Sequence, residues 1–431
     1  MATIAKIKKI FVYADWIGMS GEMITPAPIG ILKAEQVRGK EIFSFEYDKD
    51  WLNTKPSFLL DPDLLQYSGL QYPKEEKGNF GIFTDSAPDR WGRVLMERRE
   101  ILVARKEGRN PKTLMESDFL LGVSDISRMG GLRFKLDQTG NFLDDKDEKA
   151  IPPFSSIRSL EEASIKMEKS ESLEDPAFTK WLEVLFAPGS SLGGARPKAN
   201  VIGPDGYLWI AKFPSKGDRW DVGGWEMVVN ELAIKSGLNI SKAQAEKYYH
   251  KNYHTFLTRR FDRDKTGKRI HFASAMTLLG KTDGASAESG VSYLDIAEFI
   301  VRHGAQPDVD LEELWRRIVF SITVSNSDDH LRNHGFLLTT KGWAISPAYD
   351  INPVPNSSDL TLNISETDNT MDFNLARYVA PKFRVSTTGA EKIIAQVLKA
   401  AGLWSKTADR YKISSSEKER MENAFRQKEI N

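Results

Sequence analysis

The 431-residue chain contains no cysteine. Disulfide frameworks, thiolate zinc sites, iron–sulfur clusters and cysteine nucleophiles are thereby excluded. It also lacks an excess of either charge. Sixty Lys and Arg face sixty Asp and Glu, so no large positive field is available to hold nucleic acid. No window approaches the ~18 uncharged apolar residues that suggest a membrane span. Asp15 interrupts the apolar stretch Ile10–Gly18 and no small-residue cleavage pattern follows, so no signal peptide is read. Internal repeats and low-complexity tracts are missing too. What is present is 40% hydrophobic and 28% charged residues at a mean hydropathy of −0.41. That is the composition of a soluble globular protein with ample core material, and the expected location is the cytoplasm.

The length suggests about three folding units. Ile10–Ile17, Ile29–Leu32 and Ile42–Tyr47 predict short strands, and a helix with a basic surface is expected after Asp85 or Ser86. The acidic run Asn141–Glu148 followed by Pro152-Pro153 marks a boundary. The expected segments are thus 1–150, β-rich then helical, 151–258, with a small-residue loop and strands, and 259–431, mostly helical. Leu311, Leu314, Trp315, Ile318, Val319 and Ile322 recur at helical spacing and predict one buried stripe.

The chemistry concentrates after that helix. Asp328-Asp329-His330-Leu331-Arg332-Asn333 precedes a predicted hairpin, and Tyr349-Asp350 follows it. An antiparallel hairpin brings its feet together, so Asp328, Asn333 and Asp350 are expected to share a pocket. Such a set suits magnesium-assisted phosphoryl transfer, with one Asp accepting the hydroxyl proton and an Asn and a second Asp on the metal. Protein kinases use Asp-x₄-Asn and then a metal Asp in this order. Upstream, Ser190–Lys198 is a small-residue loop whose amides can cover phosphates, without the Walker A pattern. Lys212 ends an apolar strand and Glu226 lies near the start of the next helix, an order that permits an ion pair aiming the lysine at phosphates. His330 and His334 have the spacing of a zinc pair but lack the Glu of the metalloprotease pattern.

At these residues the sequence resembles the HipA family of bacterial serine/threonine kinases, the toxins of HipBA-type toxin–antitoxin modules. Ser191-Leu192-Gly193-Gly194-Ala195-Arg196-Pro197-Lys198 is similar to the family's loop, although Arg196 replaces its Gln and Pro197 removes an N–H donor. Asp328–Asn333 matches Asp-x-His-x-x-Asn, and Tyr349-Asp350-Ile351 matches the metal segment. Arg260–Arg263, Pro88–Arg93 and Arg128–Phe134 resemble further family segments.

The resemblance implies an α+β, two-lobed protein-kinase-like fold with an N-terminal β-rich subdomain and a mostly helical C-terminal lobe. It implies ATP and Mg²⁺ as cofactors, with Asp328 as catalytic base and Asn333 and Asp350 on the metal. Lys212, oriented by Glu226, would contact phosphates, and Ser191, Gly193, Gly194, Ala195 and Lys198 would line the nucleotide loop. The backbone near Arg259 and Phe261 would meet adenine, and His330 would orient the catalytic loop. Autophosphorylation is implied at Ser191, with Ser190 adjacent. The implied partners are a HipB-like helix-turn-helix antitoxin, operator DNA mainly through that antitoxin, and a protein substrate, an aminoacyl-tRNA synthetase in some members. The alternatives are a catalytically silent kinase-fold corepressor and a small-molecule phosphotransferase.

Overall fold

The structure is a computed structural model that describes residues 7–17, 26–54, 56, 58–143, 151–169, 176–186 and 196–425. It is α+β and divides into two compact units. The first comprises Met1–Lys216 with Asp262–Ala273, and the second Gly217–Phe261 with Ser274–Asn431.

The first unit is built on a five-stranded antiparallel sheet. Ile7–Ala14 lies between Ala27–Val37 and Leu132–Lys135, and Lys40–Tyr47 and Leu70–Gln71 continue the other side. The second strand runs farther than its apolar residues predicted. Its end alternates half-buried and exposed side chains up to Val37, and the turn there decides its length. Arg38 and Gly39 both have positive φ (50° and 80°), the backbone of a two-residue hairpin turn that registers Val37 against Lys40. Gly30 is required by close approach, since a Cβ would sit 2.2 Å from the Glu46 carbonyl oxygen.

One face of this sheet carries Phe45, which meets Phe80 and Phe83, and Phe83 meets Phe134. The helix Arg90–Lys106 starts one turn later than expected. Asp89, not Asp85 or Ser86, is its N-cap and accepts from Gly92 N at 2.7 Å. Two of its basic side chains meet acids: Arg93 makes a bidentate pair with Glu116, and Lys106 lies 3.8 Å from Glu183. The buried Arg128 guanidinium donates to the carbonyls of Ser86, Leu120 and Val123.

The short segment 262–273 returns to this unit through buried charge. Asp262 accepts from Gly130 N, Arg263 donates to the carbonyls of Gly130 and Arg128, and Arg269 pairs with Asp125 at 2.9 Å. His271 stacks on Trp16, with ring centroids 4.5 Å apart, and burial pushes its pKa down to about 3. Below the ordinary value of 6.5, the unfolded chain therefore binds a proton that the folded chain refuses. This contribution to stability is complete above pH ~6.5 and falls by up to ~1.4 kcal/mol per pH unit as pH drops toward ~3. In urea denaturation at pH 6.5 and pH 4.5, His271→Gln is expected to lose clearly less stability between the two than the parent chain. Equal losses would refute this account.

The second unit is mostly helical. Pro307–Val324 is its central helix, and the six predicted stripe residues are all completely buried. Thr387–Ala401 and Tyr293–His303 pack against it. Val222–Lys235 starts at the Asp221 cap, which accepts from Gly224 N, and Gly237 follows its end at φ 78°. Two antiparallel strand pairs complete the unit: Ala243–Glu246 with Thr255–Arg259, and Gly335–Thr339 with Gly342–Ile345. No helix among the described residues is long and apolar enough to cross a membrane.

Candidate active site

The central helix ends abruptly because Ser325 adopts a left-handed conformation, φ 51°. The chain then loops through Asn326–His330 into a single 3-10 turn, Leu331–Asn333, and enters the hairpin. Helix and hairpin are tied at several points. Arg317, buried on the helix, donates to Ser346 O at 2.7 Å, and Asp310 accepts from Ile345 N at 3.1 Å. Ser346 N bonds to Gly335 O, which closes the hairpin foot. Asn333 and Asp350 both lie beyond the paired strands, and Tyr349 brings the two approaches together by donating its hydroxyl to Arg332 O at 2.7 Å.

Within this frame Asn333 Nδ2 donates to the main-chain carbonyl of Asp328 at 2.8 Å. That bond fixes the amide and leaves Asn333 Oδ1 as an oxygen donor. Asp328 is solvent-exposed. Its pKa is raised, first by partial burial and also by the negative charges of Asp350 and Asp329, while His330 opposes the rise. The carboxylates of Asp328 and Asp350 therefore act on each other electrostatically. Asp350 sits at φ 58°, a conformation that costs a non-glycine residue about 1–2 kcal/mol and persists where its surroundings enforce it.

Asp329 does different work from its neighbour. It is buried and accepts from the Tyr293 hydroxyl at 2.6 Å and the Ser321 hydroxyl at 3.3 Å, while His334 Nε2 lies 3.1 Å away. Burial alone would raise its pKa, but His334 and the Tyr293 hydroxyl outweigh it and hold the carboxyl below its usual range. Asp329 thus stays charged and anchors the loop so that Asp328 faces solvent. Sequence reasoning passed over this residue because adjacent aspartates in a loop read alike. Only burial separates the anchor from the exposed acid.

Two exposed or half-exposed carboxylates and one oriented amide oxygen are all hard donors. They suit a divalent cation such as Mg²⁺ and not a thiophilic metal. A bound cation would also relieve the repulsion between Asp328 and Asp350. Among the described residues, no three His, Asp or Glu side chains converge as a metal cluster.

The other expected residues are distributed as follows. Lys212 ends the strand Leu208–Lys212 of the first unit, in register with Lys198. Lys198 is 3% exposed, and its ammonium pairs with Asp89 at 2.7 Å. Glu226 is buried on the helix Val222–Lys235 of the second unit. Arg259 N donates to Lys242 O, and the Phe261 ring lies 5.6 Å from that of Tyr349. His330 caps the 3-10 turn by its backbone. Ser190, Ser191, Gly193, Gly194 and Ala195 lie outside the described residues.

Residues 190–404 match the HipA-like C-terminal domain. A Haemophilus influenzae protein named "Putative kinase" is 27% identical over 228 residues, covering 50% of this chain and 64% of that relative. A chain of the Shewanella oneidensis MR-1 complex of HipA, HipB and operator DNA aligns over 93% of this chain and 94% of its own length. Its TM-score is 0.62 at 15% identity, which shows a shared fold. The Helicobacter pylori proinflammatory kinase CtkA aligns over 50% of this chain at a TM-score of 0.33 and 14% identity, too low to carry an argument. The chain thus carries a HipA-like C-terminal domain over residues 190–404 and shares its fold with the Shewanella chain along nearly its whole length.

Proposed function

We propose that the chain is an ATP- and Mg²⁺-dependent serine/threonine protein kinase that acts as the toxin of a toxin–antitoxin pair. The observation that carries this reading is the cluster of Asp328, Asn333 and Asp350, with Asp328 exposed and its pKa raised in part by Asp350. In the transfer, a substrate hydroxyl oxygen forms a bond to the γ-phosphorus, the bond to the ADP oxygen breaks, and Asp328 accepts the hydroxyl proton. Asn333 and Asp350 would hold Mg²⁺, which when bound neutralises charge on the phosphates. Lys212, aimed by Glu226, would contact phosphates, and the loop containing Ser191, Gly193, Gly194 and Ala195 would cover them. The backbone at Arg259 and Phe261 would meet adenine.

Autophosphorylation of Ser191, or of the adjacent Ser190, would act as an off-switch. A phosphate carrying −1.5 to −2 charge is poorly tolerated where the nucleotide's own phosphates belong. The partner would be a HipB-like helix-turn-helix antitoxin, as in the Shewanella complex, which also contains operator DNA. The balanced charge of this chain favours DNA contact mainly through that antitoxin. Its working compartment would be the cytoplasm.

The deciding experiment incubates phosphate-free chain with γ-labelled ATP and Mg²⁺ and maps the label by mass spectrometry. Label on Ser190 or Ser191, or on a protein substrate, is the expected result. ATP binding with no turnover would instead indicate a silent corepressor, and label confined to an added metabolite would indicate a small-molecule enzyme.

A further inference from the structure

A directional series of hydrogen bonds, passing once through the main chain of Asn352, links the anchored Asp329 to Asp350. The Ser321 hydroxyl donates to Asp329 Oδ2 at 3.3 Å, and Asn326 Nδ2 donates to Ser321 Oγ at 3.3 Å. Asn326 Oδ1 accepts from the backbone N–H of Asn352 at 3.1 Å, and Asn352 Nδ2 reaches Asp350 Oδ1 at 3.4 Å. A backbone N–H can only donate, so the Asn326 amide has one orientation and both its ends are used. Asn326 is almost wholly buried, which makes the loss of either bond costly.

Asn326 sits between two other ties. Tyr349 OH bonds to Arg332 O on one side of Asp350, and Val354 N bonds to Ser325 O on the other. Of the three, the Asn326 bond is the one that holds the main chain within two residues of Asp350, whereas the Tyr349 tie acts through a side chain and the Val354 tie lies four residues on. The left-handed backbone at Asp350 needs such restraint, because an untied chain relaxes toward the ordinary regions.

We infer that Asn326 is a positioning residue for Asp350, holding the carboxylate at the angle from which it meets a divalent cation beside a bound nucleotide. This rests on the proposed kinase reading and adds to it a residue outside the Asp-x-His-x-x-Asn pattern. Its substitution should act on the cation requirement before it acts on nucleotide affinity. Partners that orient a metal ligand typically change metal affinity about 10- to 100-fold when removed.

The test uses the full chain and the probe Mn²⁺, titrated by electron paramagnetic resonance with and without a non-hydrolysable ATP analogue. Asn326→Ala is expected to weaken Mn²⁺ binding in the presence of the analogue about tenfold or more. The metal-free affinity for the analogue should change less than about twofold, and in turnover the Mg²⁺ requirement should rise more than kcat falls. Mn²⁺ binding equal to that of the parent would overturn the assignment. So would a parallel loss of metal binding, metal-free analogue binding and melting temperature, which marks a merely structural residue. If Asn326→Ala does not fold, Ser321→Ala carries the test, because it removes the acceptor that orients Asn326. A smaller weakening of Mn²⁺ binding is then expected, and parent-like binding refutes the series. A parent protein that binds no Mn²⁺ with the analogue present would remove the kinase reading itself, a result distinct from either variant's.

Discussion

Asp89→Ala is expected to destabilise the protein by about 4 kcal/mol, because one carboxylate holds two elements at once. Its Oδ1 caps the helix Arg90–Lys106 and its Oδ2 lies 2.7 Å from the Lys198 ammonium, with both side chains almost fully buried. Losing a cap costs about 1 kcal/mol. Taking away one member of a buried ion pair costs about 3–5 kcal/mol, since the remaining charge was desolvated against it. Guanidinium denaturation separates the two contributions. Asp89→Asn keeps a good capping side chain and loses the charge, so it should recover only the cap's share. Asp89→Asn combined with Lys198→Met removes both charges and should lie within about 2 kcal/mol of the parent. A loss below ~1 kcal/mol for Asp89→Ala would mean that the pair is not buried as described. The Pro88–Arg93 segment, noted in the sequence for its family likeness, thus has a physical task in the first unit. It receives a lysine that sequence reasoning assigned to the nucleotide loop.

Asp328→Asn should move activity and stability in different directions. Removing the proposed proton acceptor is expected to lower the proposed phosphoryl transfer about 10²- to 10⁴-fold. The same change deletes a charge that Asp350 and Asp329 repel, on an exposed side chain. The denaturation midpoint should therefore stay level or rise, in keeping with sites that sacrifice stability for function. Single-turnover kinetics with labelled ATP, measured beside urea denaturation, checks both. A folded Asp328→Asn with transfer near the parent's rate would remove Asp328 from the base role. A marked drop in stability would contradict the repulsion.

Much of the architecture could be read from residue spacing. The stripe Leu311–Ile322 announced its helix because period and apolarity agree over several turns. The hairpin predicted before Asp350 is present, pairing Phe336 with Ile345 and Thr339 with Gly342. Asp328, Asn333 and Asp350 were selected by spacing, by the predicted hairpin between them and by the family resemblance. Boundaries were harder. The helix after Asp89 was expected one turn early, because Asp85, Ser86 and Asp89 are all acceptable caps and only packing chooses among them. Likewise, the return of residues 262–273 to the first unit depends on buried bonds to Arg128, Gly130 and Asp125, far away in the chain.

While the α+β class came from the family resemblance, local order along the chain was enough to indicate early strands, the central helix and three oxygen-bearing side chains suited to a hard cation. Such features depend on neighbours a few residues apart, and periodicity records them. Which aspartate is buried and which is exposed, where Lys198 points, and how Asn326 reaches Asp350 were decided only by the folded molecule. Each depends on desolvation and on hydrogen bonds between distant segments, and identical residue types at adjacent positions carry no mark of either.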